Sequence, residues 1–282
     1  MSEAEPWIES EFYSIVLPEL FRAATPNATP VWIGIGGQPG AGKTAGRQTA
    51  LRLAGAANVV PIIGDDLRTF HPDYSRLMRE APLEMPERTQ EASGAWVELA
   101  LEHAARERIN TLVEGTFRRP EVTLATAQRF KNAGFRTHLV ALAVAGWESR
   151  LSTVERFVAD FRNGRAARWT PMAAHEAGLL GTPRTVRAAE RDVTIDRISI
   201  VTRRGDVLFD GSEQARAGAA AALLREQERA PSATTVREWT ERYRAVAEYV
   251  DREVPRTAQT VESLRALKAD SVSLHLAEKQ DR

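Results

Sequence analysis

The chain has 282 residues, no net formal charge, 43% hydrophobic and 27% charged residues, and no cysteine. These proportions are those of an ordinary globular protein; neutrality argues against a general nucleic-acid binder, and the missing cysteine excludes disulfides, thiolate catalysis and Cys-ligated metals. The acidic start Met1-Ser2-Glu3-Ala4-Glu5 has no apolar core, and no apolar run is long enough to span a bilayer, so a cytoplasmic protein with no membrane or nucleic-acid partner is expected.

Ile8, Phe12, Ile15, Val16 and Leu20 recur at helical spacing and predict an amphipathic helix over 7–23, broken by Pro26 to Pro30. Val31 to Ile35 reads as a short buried strand. It runs into Gly37-Gln38-Pro39-Gly40-Ala41-Gly42-Lys43-Thr44, and Thr44 to Leu53 reads as a helix. Val59 to Ile63 is a second strand, ending at Gly64-Asp65-Asp66. His71 to Tyr74 and Pro82 to Pro86 read as loop, and Thr89 to Arg108 as a long helix. Thr111 to Val113 is a third strand, ending at Glu114-Gly115-Thr116. Glu121 to Ala133 is a helix closed by Gly134, Phe135 to Val144 a fourth strand, and Glu148 to Phe161 a helix. The Arg-rich stretch Arg162 to Arg168 follows, then a short helix over Pro171 to Leu180. Asp196 to Thr202 and Val207 to Phe209 form a late strand pair. Alternation of strand and helix from 31 to about 210 predicts an α/β fold, a mostly parallel sheet flanked by helices. Residues 1–211 read as the nucleotide-binding core and 212–282 as a helical C-terminal appendage, with Trp239, Tyr243, Val246 and Val250 on one helical face.

The stretch 37–44 satisfies G-x-x-x-x-G-K-[ST] at every fixed position and sits between a strand and a helix. Glycines there let successive backbone N–H groups curl round phosphate oxygens, and the new helix points its positive end at the anion. Lys43 is placed to reach the β- and γ-phosphates of ATP or GTP, and the Thr44 hydroxyl to hold Mg²⁺. Only three other lysines occur, Lys131, Lys268 and Lys279. Three features favour a kinase over a switch or motor. Asp65 follows the loop after only one helix and one strand, on the acceptor side; no Asn-Lys-x-Asp stretch is present; and Arg156, Arg162, Arg165 and Arg168 cluster where a lid would deliver charge to a transferring phosphoryl group. Asp65 is the first candidate for the acceptor's base and Asp66 the second, one of the pair being a candidate helix cap. Glu114 is a candidate for placing Mg²⁺ or substrate. A regulatory ATPase, and a tail folded over the nucleotide site, remain alternatives.

The loop, then Gly64-Asp65-Asp66-Leu67-Arg68-Thr69-Phe70-His71-Pro72-Asp73-Tyr74, then Glu114 to Arg118, Thr153 to Arg156 and Ala167 to Pro171 resemble the zeta toxin family over residues 8 to 210. The resemblance implies a P-loop kinase that phosphorylates the 3′-hydroxyl of UDP-N-acetylglucosamine, blocks peptidoglycan synthesis, and is restrained by a small helical antitoxin. It also implies Asp65 as base, Glu98 on the sugar, Glu114, Thr116, Arg118 and Thr126 as substrate contacts, and Arg156 and Arg168 on the nucleotide phosphates. The segment between those arginines is one residue shorter than the family pattern, which leaves Arg165 as the alternative to Arg168. A related acceptor, such as another nucleotide sugar, a nucleotide or an antibiotic hydroxyl, is the enzyme alternative.

Overall fold

The strand Val31-Trp32-Ile33-Gly34-Ile35-Gly36 is buried at every residue, which is what a central strand covered on both faces requires. The computed structural model describes residues 6–81, 84–163 and 167–280. In chain order, α1 (Pro6–Glu11), a π-helical turn (Phe12–Val16) and α2 (Leu17–Leu20) make one N-terminal helix. β1 (Val31–Gly36) and α3 (Lys43–Ala54) flank the glycine loop. β2 (Val60–Ile62) leads through α4 (Gly64–Leu67), α5 (Tyr74–Glu80) and α6 (Met85–Arg88) to the long α7 (Gln90–Arg106). β3 (Thr111–Gly115), α8 (Pro120–Asn132), β4 (Arg136–Ala143), α9 (Gly146–Arg162) and α10 (Met172–Ala189) follow. β5 (Arg197–Thr202) and β6 (Val207–Ser212) close the sheet, and α11 (Ala219–Gln227), α12 (Ala233–Glu253) and α13 (Ala258–Gln280) complete the chain.

The six strands lie in the order β2-β3-β1-β4-β5-β6, all parallel except β6, which pairs antiparallel with β5. β1 therefore has β3 on one side and β4 on the other. A ligand crevice forms at such a switch point, outside the carboxyl ends of the strands. Ile33, Ile35, Leu112, Val140 and Leu142 cover α3 on one face of the sheet. Trp32, Leu139, Ala141, Ile198 and Ile200 pack on the other, against Phe12, Trp96, Phe130, Val186 and Leu223. α11 thus belongs to the main core. A separate apolar cluster joins Leu151, Val154 and Phe157 of α9 to Trp239, Val246, Val250, Leu267 and Leu274 of α12 and α13.

Four local readings need correction. Ile15, placed with the N-terminal apolar stripe, is 47% exposed. The π turn carries more residues per turn, so Ile8, Phe12 and Val16 share the buried face and Ile15 is rotated off it. Residues 74–80 and 85–88 are helical, whereas the sequence reads Tyr74 and the Pro82 to Pro86 segment as loop; Pro82 and Leu83 themselves lie outside the described residues. The helix expected to stop at Leu180 continues through Gly181 and Pro183 to Ala189. Its glycines are contact points and not terminators: a Cβ on Gly181 would lie 2.4 Å from the Arg118 Cα, and one on Gly178 would lie 3.0 Å from the Gln38 Cα. Neither Asp65 nor Asp66 caps a helix, since α4 begins without a side-chain cap.

Candidate active site

The loop Gly37 to Gly42 turns sharply because Gly40 and Gly42 adopt φ of 79° and 85°, which side chains disfavour. A Cβ on Gly40 would strike the Ser149 carbonyl oxygen at 2.1 Å. Gln38 is fully buried, and its amide donates to the Val144 carbonyl (2.7 Å) and the Ser149 hydroxyl (3.2 Å). This side chain therefore staples the loop to the β4–α9 junction. Arg203, on the β5–β6 turn, donates to the Gly40 carbonyl at 2.8 Å from the other side. Ala41 is fully buried beneath the loop, and Thr44 is exposed in the first turn of α3. Lys43 donates to the Gly37 carbonyl (3.2 Å) and lies 3.9 Å from Glu114. Burial holds the Lys43 ammonium below its usual pKa, with Glu114 pulling the other way. Burial likewise raises the Glu114 carboxyl, opposed by Lys43 and Arg47.

A cleft of about 550 Å³ opens beside the loop. Pro39 and Lys43 of the loop line it, joined by Arg156 of α9 and Arg168 of the segment after it. Asp65, Glu98, Glu114, Thr116, Arg118 and Thr126 line the same cleft, so it collects all six residues that the sequence nominates for substrate. Asp65 carries two guanidiniums on one oxygen: Arg168 Nη1 at 2.5 Å and Arg68 Nε at 3.2 Å, both to Oδ1. Burial pushes this carboxyl up, but Arg168 and Arg68 outweigh it, and its pKa falls below the usual carboxylate range. Asp66 does not line the cleft. Burial raises its carboxyl, with Arg47 in opposition. Glu98 is paired with Arg129 of α8 at 2.9 Å. The Thr126 hydroxyl donates to the Val122 carbonyl.

The arginine cluster divides. Arg156 and Arg168 reach the cleft, Arg162 stacks over the Tyr249 ring of α12 (5.2 Å), and Arg165 lies outside the described residues. His71 accepts a hydrogen bond from the Asp73 amide through Nδ1 and meets the Trp7 ring edge-on, a turn-forming role. The sequence reading missed one face of α7. Gln90, Ser93, Gly94 and Val97 line the cleft with Glu98 and Leu101, spaced three and four apart. The signal was the small, polar Ser93-Gly94 step inside an otherwise apolar helical stripe. Arg68 was also missed, because its burial is invisible in sequence. A second cavity, about 520 Å³, lies at the opposite end of the sheet around Arg136, His138 and Arg197. Its Lys131 and Arg197 are already paired with Asp196 and Asp210. No described helix is long and apolar enough to cross a membrane.

A phosphate loop at the carboxyl end of the central strand, with carboxylates and arginines lining the cleft beside it, defines a P-loop kinase fold. Comparison narrows the class. Residues 19–214 match the zeta toxin family, and the chain belongs to it. Toxin PezT of Streptococcus pneumoniae serotype 4 is 31% identical over 221 residues, 77% of this chain and 87% of its own length. Toxin zeta of Enterococcus hirae is 26% identical over 227 residues, 80% of this chain and 79% of its own. A solved structure from the PezAT chromosomal toxin–antitoxin system of S. pneumoniae superimposes with a TM-score of 0.72 at 27% identity. It covers 85% of this chain and 98% of its own.

Proposed function

We propose that the chain is the toxin of a toxin–antitoxin pair and a kinase that transfers the γ-phosphate of ATP or GTP to the 3′-hydroxyl of UDP-N-acetylglucosamine. The observation that carries this reading is Asp65. It is a carboxylate on a turn directly past β2 that faces the cleft, bonded to Arg168 and sharing the cleft with Lys43 and Arg156. Glu98, Glu114, Thr116, Arg118 and Thr126 supply the acceptors and donors that a sugar with several hydroxyls needs. The loop amides 37–44 and Lys43 hold the β- and γ-phosphates. Asp65 takes the proton of the acceptor hydroxyl as its oxygen bonds to the γ-phosphorus and the bond to the nucleoside diphosphate breaks. Lys43, Arg156 and Arg168 hold the charge that spreads over the phosphoryl oxygens. The donor set suits Mg²⁺: the Thr44 hydroxyl stands at the loop, Glu114 lies beside Lys43, and the described residues form no cluster of three or more His, Asp or Glu that would cage a metal alone. Bound with the nucleotide, the ion would neutralise phosphate charge. The PezAT relative comes from a toxin–antitoxin system, which supports an antitoxin as partner. The absence of a membrane-crossing helix among the described residues is consistent with action in the cytoplasm.

The test is phosphate transfer by purified full-length protein across a panel of sugar nucleotides, beside Asp65→Asn and Lys43→Ala. The expected product is one phosphate heavier than UDP-N-acetylglucosamine, with each variant slower by about a hundred- to ten-thousand-fold. Turnover of a different acceptor only would replace the substrate. Hydrolysis without any acceptor, unaffected by Asp65→Asn, would replace the kinase with a regulatory ATPase.

A further inference from the structure

Arg68 is a charged residue only 8% exposed, so its guanidinium must be satisfied internally. It is. Nε donates to Asp65 Oδ1 at 3.2 Å, and Nη1 donates to the Pro86 carbonyl at 2.5 Å and the Thr89 hydroxyl at 2.8 Å. Thr89 is itself fully buried, donates to the Met85 carbonyl at 2.8 Å, and immediately precedes α7. One rigid fork therefore ties the turn bearing Asp65 to the helix whose cleft face bears Gln90, Ser93 and Glu98. The other cation on Asp65 differs in kind. Arg168 is 40% exposed in its side chain, belongs to the chain after α9, and with Arg156 acts on Lys43 of the phosphate loop, whose pKa burial lowers and both arginines lower further. Both guanidiniums bind Oδ1. Among the described residues, Oδ2 accepts no hydrogen bond.

We infer that Arg68 is the positioning residue for the base: it pins Oδ1 from the buried side and leaves Oδ2 to meet the acceptor hydroxyl. This rests on the kinase reading above. An arriving triphosphate competes for Arg168, which is drawn toward the phosphates and gives up the carboxylate. Arg68 has no path to the phosphates, because two of its bonds are to the Pro86 carbonyl and Thr89 in the wall. It keeps the base oriented, and ionised, through the step in which Arg168 leaves. The other charges facing Asp65 are Lys43 of α3, Asp66 of its own turn, Glu114 of β3 and Arg156 of α9. Removing Arg68 removes one of the positive neighbours that hold the carboxyl low, so the sign of the change is upward.

The experiment compares full-length wild type, Arg68→Met and Arg68→Lys in two assays. One is the pH dependence of kcat for transfer to UDP-N-acetylglucosamine, with KM for the nucleotide. The other is titration of the Asp65 side-chain carboxyl by NMR without substrates. Arg68→Met is expected to lower kcat about ten- to a hundred-fold with little change in nucleotide KM. Its acid limb, and the Asp65 titration, should move to higher pH by about one unit. Arg68→Lys should restore most of the limb position, which needs charge, and little of kcat, which needs the fork. A fall in kcat with both pH curves unmoved would make Arg68 a packing residue and overturn the inference. Should Arg68→Met fail to fold, Thr89→Val, which removes one anchor of the fork, is expected to shift both curves in the same direction; unmoved curves there overturn it equally. Absence of wild-type transfer overturns the substrate, not Arg68, whose hold the carboxyl titration still decides.

Discussion

Lys43 and Glu114 each disfavour their own charge and support each other's. Burial lowers the ammonium and raises the carboxyl, and the 3.9 Å approach partly offsets both. This matters because Lys43 must be protonated to meet a phosphate. Glu114→Gln removes the group that keeps the Lys43 pKa from falling further. Free enzyme carrying the substitution should therefore lose its lysine proton at lower pH than wild type. The expected outcome is an alkaline limb of kcat/KM for the nucleotide that moves to lower pH, read directly from the pH profile. An unmoved limb would mean that Glu114 acts on the acceptor alone. Glu98, Thr116, Arg118 and Thr126 came only with the family resemblance, whereas the loop, Asp65 and Glu114 were legible from pattern: a phosphate loop fixes backbone, lysine and hydroxyl in one short stretch. The acids also fall at strand ends, where an open sheet gathers ligands. Arg68 was not legible: four residues beyond a glycine it reads as one more surface arginine, and only the packing of the loop before α7 buries it.

Elements were read where periodicity was strong and misread where a residue type has two uses. Gly178 to Pro183 has the look of a helix stop. In the fold both glycines let α10 press on backbone, Gly178 on the phosphate loop and Gly181 on the Arg118 strand exit. Gly181→Ala should cost about 1–3 kcal/mol through overpacking and lower the melting temperature by several degrees. Gly94→Ala is the contrast. Nothing lies within 4 Å of its added Cβ, so helix propensity should stabilise α7 by about 0.5–1 kcal/mol. The methyl would enter the cleft and raise KM for the acceptor, which paired melting and kinetic measurements would separate. β4, β5 and β6 hold a different liability. His138 is buried, its Nε2 lies 2.8 Å from the Ser199 hydroxyl, and that hydroxyl donates to Asp210. With the hydroxyl proton so committed, the neutral imidazole donates through Nε2. Burial, with Arg197 adding to it, lowers the His138 pKa from 6.5 to about 4. The unfolded chain therefore binds this proton first, and stability contributed by the neutral ring falls as pH drops from 6.5 to 4, by up to about 3 kcal/mol. Urea unfolding across that window should show the fall in wild type and a shallower one in His138→Gln.

At the scale of the whole molecule, the C-terminal helices stand outside the family match, which ends at residue 214, yet they are wired to the phosphate loop. Among the described residues none beyond Ala174 lines the cleft, and α12 and α13 contribute nothing to its lining. They grip the back of α9, the helix that delivers Arg156. Arg242 of α12 holds Glu155 at 2.6 Å and Glu148 at 3.1 Å, and the Trp239 indole donates to the Trp147 carbonyl. From α13, Asp270 takes a two-pronged hydrogen bond from Arg150, both arms at 2.8 Å. Arg150 also donates to Glu176; Glu176 meets His175, His175 meets the Ser149 hydroxyl, and that hydroxyl receives the amide of Gln38 in the phosphate loop. A continuous polar chain thus runs from the last helix to the loop; its links are buried or nearly so except Glu176, which is partly exposed. Asp270→Asn leaves Arg150 with one carboxylate and should cost about 1–3 kcal/mol. If the chain only packs the tail, melting temperature falls and catalysis per folded molecule stays constant. If it sets the loop, nucleotide KM rises several-fold at a temperature where the variant is fully folded. The rise should also be non-additive with that of His175→Gln, since the two lie on one path. Arg252→Gln, which breaks an exposed pair with Glu248 on α12, is the control that should change neither quantity.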